Sequence, residues 1–200
     1  MCKNTNTYYF CMEDNRSIIP YVTPRIHDFL YGIGYFSSCI IISLTVIIFL
    51  YNHQYLDILG FLVTLYLNTI LNRFLKILFK HERPMDEAKF LISDFYSQKN
   101  KAYGMPSGHS QTSIFSFTYL YFTTKNIHPW LLLSAIIVII LMIIQRLVFK
   151  NHTILQLLAG GIIGAVFAYI IVSIRNIIVN RFLENKIIVL HEDINVIIPE

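Results

Sequence analysis

Apolar residues in this chain come in long blocks, and the polar residues gather between them. From about Phe29 to Tyr51 no Asp, Glu, Lys or Arg interrupts the run, which includes Cys39-Ile-Ile-Ile-Ser-Leu-Thr-Val-Ile-Ile-Phe-Leu50. A helix needs about 20 such residues to cross the hydrocarbon of a bilayer, so this run is the first predicted span. The polar turn Asn52-His-Gln-Tyr55 leads to a second run, about Leu56 to Phe79, with Arg73 and Lys76 in its last two turns, where basic side chains reach the interface. The third run starts at Pro106-Ser-Gly-His-Ser110 and continues to about Phe122; it is short and flecked with polar residues, so neighbouring helices should shield it from lipid. Trp130 to about Ile144 is nearly pure aliphatic, with Trp130 as an interfacial anchor. The fifth run, Thr153 to Ile174, holds 22 residues without a charge, and its Gly160-Gly-Ile-Ile-Gly164 segment permits close helix contact.

The pattern predicts an all-α fold: a polytopic transmembrane helical bundle of about five spans, with a short helical loop between the first two of the motifs described below. It divides the chain into a polar N-terminal segment (1–28), a membrane domain (29–175) and a C-terminal tail (176–200). The first apolar run arrives too late and runs too long for a cleaved signal peptide, and is expected to stay as an anchor. Composition agrees, since 55% hydrophobic and 14% charged residues with a mean hydropathy of +0.55 exceed what one soluble core of 200 residues needs. Cys2, Cys11 and Cys39 have no metal-ligand spacing, which argues against a disulfide scaffold or a zinc site. The net charge of +4 forms no exposed basic stripe, so nucleic acid is not an expected partner.

Five crossings place the segments 80–109 and 145–152 on one side of the membrane, and three clusters fall there. The first is Lys76-Ile-Leu-Phe-Lys-His-Glu-Arg83-Pro84. A spacing of seven puts Lys76 and Arg83 on one helical face, about 10 Å apart. An Arg fork and a mobile Lys charge suit a phosphoryl group, although interfacial anchoring is the commoner use of either alone. The second is Tyr103-Gly-Met-Pro106-Ser107-Gly108-His109-Ser110, a small turn entering a helix, where free backbone N–H groups favour an anion. Ser107 adds a hydroxyl there, and His109 is placed to give a proton to a departing oxygen. The third is Arg146-Leu-Val-Phe-Lys-Asn-His152, followed by Gln156. A Gln156 carbonyl that holds the Nδ1 proton of His152 would leave Nε2 free as a nucleophile toward phosphorus; a His and Gln bonded to solvent at a helix entrance is the alternative.

In this order and on one side, the clusters resemble the motifs of the type-2 phosphatidic acid phosphatase and vanadium haloperoxidase superfamily: Lys-x6-Arg-Pro, Pro-Ser-Gly-His and Ser-Arg-x5-His-x3-Asp. The resemblance extends from about Asp28 to Gly164. It looks closest to the dolichyl diphosphatase branch, in Tyr103-Gly104-Met105-Pro106 and in His152-Thr153-Ile154-Leu155-Gln156. It implies that His152 attacks the phosphoryl group, that His109 protonates the leaving group, and that Lys76, Arg83, Ser107, Gly108 and Arg146 bind the phosphoryl oxygens. Water then hydrolyses the phosphohistidine, with no metal or other cofactor. Two positions depart from the family pattern: Gln145 stands for the usual Ser and Gln156 for the usual Asp. A Gln cannot stabilise an imidazolium by charge, so Gln156→Asp is expected to keep or raise the rate.

A basic site at the bilayer edge above an apolar bundle suits a phosphate headgroup whose tail stays in the membrane. The expected substrate is a lipid phosphate or diphosphate, with polyprenyl (dolichyl) diphosphate implied by the branch; phosphatidic acid and other isoprenoid diphosphates remain alternatives. Membrane lipids are the remaining expected partners. Of the 16 basic residues, 12 lie on the motif side. That bias points to the cytosol by the positive-inside rule, whereas the resemblance implies a lumenal or extracytoplasmic site, as in the endoplasmic reticulum. The rival reading is a catalytically silent relative that binds phosphate lipids, motivated by Gln145 and Gln156.

Overall fold

The computed structural model describes residues 24–84, 103–124 and 127–197, with side chains described at 29–84, 103–124 and 127–182. The expected helical loop between the first two motifs, most of the polar N-terminal segment, and Cys2 and Cys11 lie outside the described residues. Five helices make up the regular structure described: α1 (Pro24–Tyr51), α2 (Tyr55–Phe79), α3 (Gly108–Thr123), α4 (Pro129–Val148) and α5 (Ile154–Ile197). Four of them contain a stretch long and apolar enough to cross a membrane: Phe29–Tyr51, Tyr55–Phe79, Pro129–Val148 and Ile154–Phe182. The all-α bundle predicted from the apolar runs is the fold observed. α5 runs on as helix to Ile197, through most of what reads in the sequence as a tail.

The remaining helix, α3, is the short one. At 16 residues, α3 is only about 24 Å long by helical rise, less than the hydrocarbon thickness. It nevertheless joins both ends of the bundle. At its start Ser107 bonds α5, and just past its end the Thr124 hydroxyl donates to Gln54 Oε1 (3.3 Å) at the α1–α2 turn. α3 packs along α5 most extensively and also touches α1, α2 and α4, so its polar side chains are covered by protein as its sequence requires. Ser110, Gln111, Ser113 and Ser116 are all buried.

The outward faces tell the opposite story. Along α2, Leu59, Val63, Tyr66, Ile70, Phe74 and Ile77 are exposed at helical spacing, a stripe that only lipid covers at low cost. Inside, the apolar core collects at the end away from the motifs, where Phe49, Phe61, Phe115, Tyr119 and Ala168 pack together and Phe61 stacks on Phe115 at 6.2 Å. That end is also pinned by charge. The Arg175 guanidinium grips Asp57 with Nε to Oδ1 and Nη2 to Oδ2, both at 2.9 Å, and Asp57 sits in the first turn of α2, where the helix dipole favours a carboxylate.

Close approach of α3 to α5 depends on glycine. A Cβ on Gly160 would lie 2.5 Å from the Ser107 carbonyl oxygen, and one on Gly164 would collide with the Gln111 carbonyl. The small-residue segment of the fifth run therefore does what its sequence implies. Gly164→Ala is expected to lower stability by about 1–3 kcal/mol through overpacking against α3 backbone. A thermal melt in detergent checks this, and an unchanged midpoint would show slack between the helices.

Candidate active site

The first motif leaves α2 where that helix stops. Lys80 adopts a left-handed conformation (φ 46°), its N–H closing on the Lys76 carbonyl at 3.1 Å, and the chain leaves the helix. The helical-face relation expected between Lys76 and Arg83 is thus overturned: Arg83 lies outside the helix, four residues past its end at Phe79. Arg83 nevertheless acts electrostatically on Lys76. The segment past the helix is held by the other two motifs, since Gly104 N–H donates to the His81 carbonyl (2.7 Å) and Gln156 Nε2 donates to the Glu82 carbonyl (2.8 Å).

α3 starts at Gly108 with Ser107 as its N-cap. Helix geometry leaves the amides of Gly108, His109 and Ser110 without intrahelical acceptors. Ser107 N–H is already used, donating to the Gln156 carbonyl at 3.0 Å, and Ser110 Oγ donates to the Leu157 carbonyl at 2.7 Å. Ser107 Oγ is different: it is fully buried and has no hydrogen-bond partner among the described residues. α1 orients His109, whose ring bonds the Tyr35 backbone while the Ser38 hydroxyl donates to its carbonyl at 3.4 Å. Beside His109 lies a cavity of about 220 Å³ lined by Ser38, Thr69, Asn72, Gly108 and Thr112.

The third motif folds as a turn between α4 and α5. Asn151 and His152 N–H both return to the Arg146 carbonyl, at 3.0 and 3.3 Å, which sets Arg146 and His152 side by side across the turn. Arg146 Nη1 and Gln145 Nε2 both reach Asn151 Oδ1, at 3.5 and 3.4 Å. Gln145, in place of the family's Ser, is buried against Gly34 of α1, so its amide braces the turn.

Gln156 carries more than the sequence reading assigned to it. Thr153 Oγ1 accepts from Gln156 N–H (3.3 Å) while Gln156 Oε1 accepts from Thr153 N–H (3.1 Å), the reciprocal pair of a capping box at the start of α5. The Thr-x-x-Gln spacing was the signal for it. Because Thr153 N–H can only donate and the Glu82 carbonyl can only accept, the amide orientation is settled: Oε1 faces His152 and Nε2 faces the first motif. His152 Nδ1, 3.1 Å from Oε1, must therefore be the donor, and the neutral ring keeps its lone pair on Nε2.

Charge completes the geometry. Lys76, Arg83 and Arg146 all act electrostatically on both His109 and His152, so the seven-residue constellation read from sequence converges at one end of the bundle. His152, in the loop between two spans, is lowered from an ordinary 6.5 to about 3, first by burial and then by Arg83 and the other two cations, against the opposing bond to Gln156.

The family described as the PAP2 superfamily matches residues 57–179, more than half of the chain. Among solved structures, the chain is similar to the one described as the first transmembrane PAP2 type phosphatidylglycerolphosphate phosphatase from Bacillus subtilis, at 19% identity with a TM-score of 0.61, covering 80% of each chain. No curated protein matches the sequence.

Two predictions come from this geometry. Asp at 156 is one methylene shorter, reaches the Thr153 N–H less well, and offers no N–H to the Glu82 carbonyl, and this geometry argues for a slower variant instead of an equal or faster one. Gln156→Asp is expected to lose about tenfold or more in turnover, one oriented hydrogen bond or more, and a rate at or above wild type would sink this account. The second concerns pH. The folded His152 titrates near 3 and the unfolded one near 6.5, so the unfolded chain binds the extra proton between those values. The stability held by the neutral ring is complete above the unfolded value and is lost as pH falls toward the folded one. Melting curves from about pH 7 to about pH 4 should show His152→Ala losing less on acidification than wild type.

Proposed function

Because the chain belongs to the PAP2 superfamily, we propose that it is a membrane lipid phosphatase working through a phosphohistidine on His152. One observation carries the reading: Gln156 fixes His152 in the tautomer whose Nε2 lone pair is bare, within the field of three cations. Burial keeps that ring neutral, which a nucleophile requires.

The lone pair of Nε2 forms a bond to phosphorus as the bond to the lipid oxygen breaks. His109 gives that oxygen its proton and then takes one from the water that attacks the phosphohistidine, releasing inorganic phosphate and restoring Nε2. Lys76, Arg83 and Arg146 hold the phosphoryl oxygens, with the unpartnered Ser107 hydroxyl and the Gly108 amide at the head of α3. No metal enters this scheme. The departing group takes the polar cavity beside His109. An apolar cavity of about 310 Å³ at Ile114, Ile143, Leu147, Ile154, Leu158 and Ile162 offers walls for an alkyl chain at the same end of α5.

Polyprenyl diphosphate, cleaved to the monophosphate, is the substrate we favour. Tyr103-Gly104-Met105-Pro106 and the His152-Thr153 to Gln156 run support it. We place the chain in the endoplasmic reticulum with a lumenal site on the same resemblance.

Purified protein in detergent, offered polyprenyl diphosphate, phosphatidate and phosphatidylglycerolphosphate with chelator present, should release phosphate fastest from the first. His152→Ala should abolish release and the acid-labile labelled adduct on the chain, and His109→Ala should cost about 10²–10⁴-fold. Binding without release by wild type would favour the silent relative.

A further inference from the structure

We propose that His81 is a positioning residue for the nucleophile, acting through Gln156; the inference rests on the assignment of His152 as that nucleophile. Neither the motif residues nor their spacing gives His81 a part. Its ring Nδ1 lies 2.9 Å from Gln156 Nε2. Thr153 N–H fixes which end of the amide is nitrogen, and that nitrogen has two hydrogens. One goes to the Glu82 carbonyl at 2.8 Å. The other faces His81 Nδ1, which also lies 3.0 Å from the Glu82 carbonyl oxygen. An Nδ1 proton given to that carbonyl would leave the buried amide hydrogen of Gln156 without an acceptor, whereas a ring protonated on Nε2, at an exposed residue, accepts it; this second tautomer is part of the proposal.

Gln156 is fully buried, so an amide hydrogen left without an acceptor there is costly. His81 removes that cost in the orientation that presents Oε1 to His152, and with it the amide has no reason to pivot. The His81 carbonyl is itself tied to Gly104 N–H at 2.7 Å, so the ring is presented from a backbone already docked on the second motif. His81 also precedes Arg83 by two residues. Seating of the segment that carries a phosphate-binding cation and alignment of the nucleophile are thereby one event. A positioning residue of this kind acts on turnover more than on substrate binding.

The test compares His81→Leu with His81→Asn, whose side-chain oxygen can stand where Nδ1 accepts. Steady-state phosphate release from the best lipid substrate should show kcat down about tenfold in His81→Leu with KM changed less than about twofold, and most of the loss rescued in His81→Asn. Independently of activity, ¹⁵N NMR of histidine-labelled protein in micelles should show His152 protonated on Nδ1 in wild type, moving toward the Nε2 tautomer in His81→Leu and back in His81→Asn. Wild-type kcat and an unmoved His152 tautomer in His81→Leu would overturn the proposal, as would an Asn variant that falls as far as the Leu variant. If wild type releases no phosphate from any lipid, the assigned function falls, and the tautomer measurement still decides the tie.

Discussion

The docking of the α3 N-terminus on the first turn of α5 is the contact from which the rest of the site is built. Ser107 N–H donates to the Gln156 carbonyl and Ser110 Oγ to the Leu157 carbonyl, at 3.0 and 2.7 Å. Neither bond is possible unless the backbones nearly touch, and Gly160 and Gly164 make that approach possible. Once it is made, the open amides of α3 and the turn bearing His152 belong to one rigid unit. α1 and α2 also attach to that unit at α3, α1 through the Tyr35 backbone at His109 and α2 through Asn72 Nδ2 on Gln111 Oε1 at 2.8 Å.

Burying polar groups in a membrane bundle is costly unless they find one another. The line from Asn72 through Gln111 to Asn68, with Gln111 Nε2 at 2.9 Å from Asn68 Oδ1, does this in the span half nearest the site. The far half is different in kind, an aromatic core closed by the Asp57–Arg175 pair. The bundle is therefore stiffened apolarly at one end and by hydrogen bonds at the other. The three motifs meet at the hydrogen-bonded end.

How much of this is legible in the sequence follows from the range of the interaction. Apolar runs specify spans directly, because the bilayer fixes their length; three of the candidate spans keep near the expected bounds, and the last runs on to Phe182, past its expected end at Ile174. The remaining helix, α3, is legible only as a polar helix needing cover, and the cover itself is tertiary. Lys76 and Arg83 were read as neighbours on a helix, yet the helix ends at Phe79, since the left-handed turn at Lys80 leaves no mark in its side chain. Gln156 was read as a partner of His152 and is one, at 3.1 Å. Its second set of bonds, to the Glu82 carbonyl and His81, joins residues more than seventy positions apart, which no local spacing encodes. The Thr153 capping box was there to be read, as Thr-x-x-Gln before an apolar run.

Gln156 also bears on which charge the site suits. An Asp there would add a negative charge beside Lys76, Arg83 and Arg146. With Gln, the orientation of His152 comes from a neutral carbonyl, and none of the cationic field is cancelled. At the membrane edge, where effective dielectric is well below that of water, one uncancelled charge within several ångströms of a phosphoryl group is a sizeable interaction. The arrangement gives up help to a developing imidazolium and keeps attraction for the anion. That exchange is more favourable the more charge a substrate carries, and a diphosphate carries more than a monoester: Gln in place of Asp is coherent with the proposed diphosphate substrate and with a proposed nucleophile aimed by packing.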